Sequence, residues 1–483
     1  MKKILSCLLG VLTVLSCTGL SACKKKINAG CRYVLTVEYR EETSTLSGTV
    51  KVEYTNSTNE KLNELKFNLY PNAYRKNALY PPVSENYAET AYYDGKSYGG
   101  ITVTSVNGAR TWSIDGVDEN ILTARLCEPL EVGEKVTLDL SFITELAKIN
   151  HRLGVTARSV NLANAFPTLC EYKDGGFVET AYSSFGDPFT GGFSDYTVYL
   201  TVPSEYIVAS SGVDTLTKSL ETKKKYEITL DNARDFACAI SKFYEVEEIT
   251  IGGTVLKYYY YDDSSARSRL GLVKSCFEFF SETFGAYPYP TYTIAQTGLC
   301  YGGTEYPAFT LLADSLGERE LIRSVAHETA HQWWHGAVGS DQINEAWQDE
   351  SLAEYSACLF FDTRREYGFT KADLVRESLA QYRSYFTVYG SVFGQTDTRM
   401  SRPLTGYSSE YEYHCLAYDK GVVMWDALHK SIGDKKFYAG LKNYYKTNKL
   451  KMATPNDLIN AFEKTGVSVK GLFDAFLSGK AVV

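Results

Sequence analysis

His327-Glu328-Thr329-Ala330-His331 places two imidazoles four residues apart, and three of the chain's six histidines fall between residues 327 and 335. On a helix, positions i and i+4 share a face, so both rings can reach one ion, and the carboxylate between them can meet a water there. A helix with surface histidines would show the same short pattern. Glu350, 19 residues after His331, adds what that alternative lacks. A catalytic zinc site uses three protein ligands and one open position, and two His with one Glu is such a set. The readings are therefore His327, His331 and Glu350 as ligands of one Zn2+ per chain, with Glu328 as general base. Glu354, one turn after Glu350, is either a partner for a ligating histidine's N–H or a solvent-facing carboxylate. His335 is read as a helix-end residue favoured by the C-terminal dipole. On a continuous helix it lies about 12 Å along from His327, too far to share the ion.

These residues need helices to carry them, and the second half of the sequence supplies the pattern. Leu270, Val273, Phe277, Phe280 and Phe284 recur at helical spacing, and Gly285 and Pro288 end the run. Helices are expected over 318–335, 350–367, 371–386, 418–432, 434–447 and 455–465. The region from Arg32 to about Val246 alternates instead, as in Arg32–Tyr39, Thr49–Tyr54, Lys135–Phe142, Tyr196–Val202 and Lys225–Leu230, with Gly, Pro, Asp and Asn between the runs. That is the pattern of an antiparallel β-sandwich or saddle. The expectation is a multidomain α and β protein: a β domain over 32–245, then a mixed, helix-dominated domain over 246–483.

Composition limits the partners. With 44% hydrophobic and 22% charged residues the chain reads as globular, and a net charge of −8 argues against nucleic acid. Lys2-Lys3, an apolar run from Ile4 to Leu20, and Leu20-Ser21-Ala22-Cys23 resemble a bacterial lipoprotein signal. In that reading residues 1–22 are removed, Cys23 is lipidated, residues 23–31 form a tether and Lys24-Lys25-Lys26 meets the membrane surface. The protein would be an extracytoplasmic lipoprotein of the cell membrane. The remaining eight cysteines show no C-x-x-C pair, and free buried thiols are preferred over a disulfide framework.

The combination His327-Glu328-x-x-His331-Gln332-Trp333 with Glu350, preceded by Trp347, resembles the aminopeptidase N and leukotriene-hydrolase family of gluzincin metallopeptidases. Gly302-Gly303-Thr304-Glu305-Tyr306 is similar to that family's Gly-x-Met-Glu-Asn segment, with Thr304 and Tyr306 in place of Met and Asn. Tyr418-Asp419-Lys420-Gly421 is similar to its Tyr-Glu-Lys-Gly segment. The resemblance implies a thermolysin-like catalytic domain, with Glu328 as base toward water activated by zinc and Tyr418 stabilising the oxyanion. It implies that Glu305 pairs with the α-amino group of a peptide substrate, and that Gly302 and Gly303 let the substrate backbone approach along a strand over Thr304–Thr310. The implied activity is aminopeptidase action on extracytoplasmic peptides. A zinc endopeptidase, a hydrolase of capped substrates and a non-catalytic scaffold keeping the fold are the alternatives. The oligomeric state cannot be read from the sequence.

Overall fold

The computed structural model describes residues 30–394 and 396–481. The signal segment 1–22, Cys23 and the start of the tether lie outside them. Strands β1 (Cys31–Arg40), β2 (Thr45–Thr55), β3 (Gly100–Asn107), β4 (Lys135–Glu145), β5 (Ser194–Pro203), β6 (Val213–Ser219) and β7 (Lys223–Ala233) form a seven-stranded sheet in the order β6-β7-β5-β1-β2-β4-β3. Alternation gives it one buried face: Tyr33, Leu35, Val37 and Tyr39 point inward from β1, and Leu138, Leu140 and Phe142 from β4. Each such side chain contributes about 1.5–3 kcal/mol of apolar burial. A four-stranded sheet that includes Leu62–Asn68 and Ile121–Leu130 closes the same core with Leu65, Phe67 and Leu122. The expected antiparallel pairing holds in the large sheet except between β1 and β5, which run parallel.

The strands between Glu245 and Ala313 belong to another sheet. β8 (Glu245–Ile251), β9 (Thr254–Tyr260), β10 (Thr291–Thr297), β11 (Gly303–Tyr306) and β12 (Phe309–Ala313) are ordered β8-β9-β10-β12-β11, which leaves β11 at an edge. The expected single strand over Thr304–Thr310 is instead this β11–β12 hairpin. The chain reverses at Pro307-Ala308, where Ala308 takes φ 60°. Ala209, Ala237 and Ala239 from the β-rich half pack on Tyr259, Ala295 and Leu311 of this sheet, so small side chains bring the two halves close.

The helices are α1 (Ala266–Thr283), α2 (Glu318–His331), α3 (Trp347–Thr363), α4 (Lys371–Phe393), α5 (Lys420–Ile432), α6 (Asp434–Asn448), α7 (Pro455–Glu463) and α8 (Lys470–Leu477). α3 is buried on nearly all sides, the environment of a central helix, and Trp333, Trp334, Trp347 and Trp425 are buried around it. α5 can lie close to α3 because Gly421 has no side chain: an added Cβ would sit 2.2 Å from Ser351 Cβ. Ser351 Oγ in turn accepts from Trp425 Nε1 at 2.8 Å. Just before α5, residues His414–Asp419 form a π-helical turn. All eight described cysteines are free, seven of them buried and Cys127 exposed. Among the described residues no helix is long and apolar enough to cross a membrane.

Candidate active site and metal centre

α2 ends at His331 rather than at residue 335: His335 takes φ 155°, and the Gly336 N–H returns to the His331 carbonyl at 2.9 Å. Gln332, at the helix end, turns its side chain to the β11–β12 hairpin. Its Oε1 accepts from Ala308 N at 2.9 Å and its Nε2 donates to the Tyr306 carbonyl at 3.0 Å. One residue thus clamps the strand bearing Glu305 against the helix. Glu350 comes from the first turn of α3, where a carboxylate suits the positive end of the helix.

His327 Nε2 and His331 Nε2 lie 2.9 Å apart, and Glu350 Oε2 is 3.4 and 3.2 Å from them. Three donor atoms this close could hold one ion between them, since zinc bonds of about 2.0–2.2 Å place tetrahedral neighbours at similar separations. Glu350 Oε2 and Glu328 Oε2 are buried with no hydrogen-bond partner, an arrangement that is costly unless a cation or water takes them up. The outer ring nitrogens are already committed. His327 Nδ1 meets Glu354 Oε2 at 2.8 Å and His331 Nδ1 meets the Trp334 carbonyl at 3.0 Å, which leaves both Nε2 lone pairs facing inward. Zn2+ fits this donor set.

Without an ion these groups share protons among themselves, so zinc would enter by displacing protons from the imidazoles. Burial would raise Glu350, but the neighbouring imidazoles of His327 and His331 outweigh it and hold the carboxylate well below its usual range. For His327, burial opposes the charged form, yet the carboxylates of Glu350 and Glu354 lift it to about 10. Glu354 is held down to about 2 by His327 and Arg323 against the effect of its own burial. Glu328 is pushed up to about 7 by burial, with His327 and His331 pulling the other way.

A cavity of about 280 Å³ opens on these groups and is also lined by Gly302, Gly303, Glu305, Tyr413, His414 and Tyr418. The edge strand β11 forms one wall. Gly303 is needed there because a Cβ on it would lie 2.5 Å from Glu328 Oε1, so this glycine makes room for the base as well as for any ligand. Gly302 faces Ser324, whose Oγ would be 2.9 Å from an added Cβ. Glu305 is buried and accepts from Gln342 Nε2 at 3.0 Å; burial and then the charge of Asp187 push its carboxyl well above the usual range. The Tyr418 ring stacks 5.8 Å from that of His327, and burial together with Glu350 raises its hydroxyl well above the ordinary value, keeping it a donor.

His335 departs from its expected role. It lies beyond the helix end, is buried, and sits with Nδ1 3.6 Å from Glu305 Oε1 and 3.2 Å from Arg234 Nη1. Burial and Arg234 lower it well below its usual value, so it is neutral and no dipole-favoured cation. It is not part of the His327–His331–Glu350 cluster. Several wall residues were not singled out from the sequence: Tyr413, whose hydroxyl is 3.4 Å from Glu350 Oε1, and the buried Arg152–Asp187 pair from the β-rich half. Tyr413 alone had a local signal, standing five residues before Tyr418, a spacing the π-turn folds onto one side.

Residues 269–476 match the peptidase family M1 domain. Among curated relatives, aminopeptidase M1-C of Oryza sativa is 24% identical over 296 residues, covering 56% of this chain and 33% of its own length. Human endoplasmic reticulum aminopeptidase 1 is 24% identical over 245 residues, covering 46% of this chain and 24% of its own. The chain thus spans a third or less of the length of these relatives. An M1 zinc metallopeptidase variant from Deinococcus radiodurans shares the fold at TM-score 0.64 and 18% identity, over 94% of this chain and 96% of that one. The same enzyme has been solved with a Tyr-Ser-Ala substrate, at TM-score 0.62. Residues 269–476 thus carry the likeness to the peptidase family M1 domain, and the chain as a whole has the fold of a two-domain M1 zinc metallopeptidase.

Proposed function

We propose that the protein is a zinc aminopeptidase that removes amino-terminal residues from peptides. One observation carries the reading: a single cavity joins the His327–His331–Glu350 cluster and Glu328 to the buried carboxyl of Glu305. Zinc held by the three ligands would polarise the scissile carbonyl and acidify water. Glu328 takes the proton of the attacking water and returns it to the leaving amine. Tyr418 donates its hydroxyl to the oxyanion that develops on the carbonyl. No cation touches Glu305, and a buried carboxyl that resists ionising is relieved by an arriving ammonium, so the free α-amine of a peptide is its natural partner. The unpaired edge of β11 offers backbone groups to an extended substrate.

The D. radiodurans relative with its bound tripeptide supports peptides as the substrate class. We also place the protein outside the cytoplasm, anchored through Cys23, because residues 1–23 have the three-part layout of a lipoprotein signal. Incorporation of labelled palmitate that survives in Cys23→Ala would remove that placement.

The test of function pairs a peptide with its N-acetylated form. Free peptide should be cleaved and capped peptide spared, and Glu328→Gln should lose about 10²–10⁴-fold in kcat while retaining zinc. Equal cleavage of both forms would instead favour an endopeptidase.

A further inference from the structure

Glu305 is held in place from the other half of the molecule. Gln342 donates from Nε2 to Glu305 Oε1 at 3.0 Å and turns its own Oε1 toward Arg234 Nη1 at 3.5 Å. Arg234 directly follows β7 and crosses to the helical half, where Nη2 donates to the Ser340 carbonyl at 3.0 Å and Nη1 lies 3.2 Å from His335 Nδ1. The residue is 7% exposed. Its stem passes over Gly339, where an added Cβ would stand 2.9 Å from Arg234 Cδ.

Glu305, His335 and Asp349 bring ligand-type atoms within 4.8 Å of one another, a grouping that invites a cation. The guanidinium already supplies one, on the His335 nitrogen nearest both carboxylates. A guanidinium can only donate. His335 Nδ1 must therefore accept, and Gln342 must offer Arg234 its oxygen, which leaves the amide NH2 for Glu305. Without Arg234 the amide is free to turn over and present an oxygen to the carboxylate, which repels it.

We propose that Arg234 is a positioning residue of the amine-recognition site. Acting through the Gln342 amide and the His335 tautomer, it fixes the Glu305 carboxyl for the substrate's α-ammonium. This rests on the reading of Glu305 given above and deepens it, because selectivity for free amino termini then depends on how the β-rich half is seated on the helical half.

The experiment measures kcat/KM of the full chain on alanyl-p-nitroanilide and on its N-acetyl form, where the same anilide bond is read in both, and takes the ratio. Arg234→Ala should lower that ratio about tenfold or more, mainly through KM for the free peptide, the scale of one charged hydrogen bond. Arg234→Lys should recover part of it, since lysine keeps the charge but not the fork. Gln342→Leu should lower it as Arg234→Ala does. Merely structural damage would slow both substrates and leave the ratio in place. An unchanged ratio in folded Arg234→Ala overturns the proposal, and if that variant does not fold, an unchanged ratio in Gln342→Leu does so. A wild-type chain without preference for the free amine brings down the Glu305 reading itself; a wild-type preference retained in Arg234→Ala brings down only the role of Arg234.

Discussion

Replacing Glu354 should loosen the metal without touching a ligand. Its Oε2 accepts from His327 Nδ1 at 2.8 Å, and its Oε1 meets Arg323 Nη2 at 3.3 Å. The contact commits one His327 nitrogen as a donor and so presents the other to Glu350 and His331. A hydrogen bond to a charged group contributes about 1.5–3 kcal/mol. Removing a carboxylate behind a metal-binding histidine costs about 10–100-fold in affinity, and at 1.4 kcal/mol per tenfold the two figures coincide. Glu354→Ala should weaken Zn2+ binding near the upper end of that range. Glu354→Gln, which keeps an acceptor but drops the charge, should lie near the lower end. Arg323 keeps Glu377 at 3.1 Å, so the disturbance stays local. Competition against a chromophoric chelator reads the affinity, and circular dichroism reports the fold. Zinc held within about twofold of wild type in both folded variants would refute the account, because the expected loss is several times larger.

Three other perturbations test separate parts of the molecule. Tyr418→Phe should reduce kcat by about 10²–10³-fold, the scale of one lost oxyanion donor, whereas Tyr413→Phe should cost far less; the reverse order would move the donor role to Tyr413. Gly421→Ala would gain about 1 kcal/mol of helix propensity, but its Cβ would lie 3.2 Å from Ser351 Cα as well as against Ser351 Cβ, and overpacking of about 1–3 kcal/mol should prevail. A melting temperature that rises would refute that packing argument. Burial pushes Asp235 up to about 6 from an ordinary 3.8. This group alone therefore costs stability progressively as pH rises from about 4 to 6, and Asp235→Asn should be more stable than wild type by about 2–3 kcal/mol above pH 6, with no gain below pH 4. Urea titrations at pH 3.5 and 8 measure the difference, and an equal effect at both would count against it.

What could be read from the sequence was what is written locally. The His327–His331 pair follows from helical spacing, and the strands from alternation, because each depends on neighbours a few residues away. The sequence pattern overshoots the end of α2 because Trp333-Trp334 continues an apolar helical run, while the backbone leaves the helix before His335, at φ 155°, and Gln332 bonds to Tyr306 and Ala308, some 25 residues earlier. The β11–β12 hairpin read as one strand because its reversal places alanine at positive φ, with no glycine or asparagine to announce it. His335 was misjudged for the same reason as the helix end: its surroundings are Arg234 and Glu305, which only the folded chain brings near. Gln342, Arg152 and Asp187 had no local signal at all.

The free cysteines also bear on how this protein can be made and handled. Burial pushes the thiols of Cys31, Cys238, Cys300 and Cys415 up to about 12, and those of Cys170, Cys276 and Cys358 well above their ordinary value. Reactivity follows the thiolate, so these seven are withheld from oxidants and electrophiles while the fold is intact. Cys127, on a strand of the β-rich half, is the one exposed thiol among the described residues and so the one there that a dye or spin label would reach.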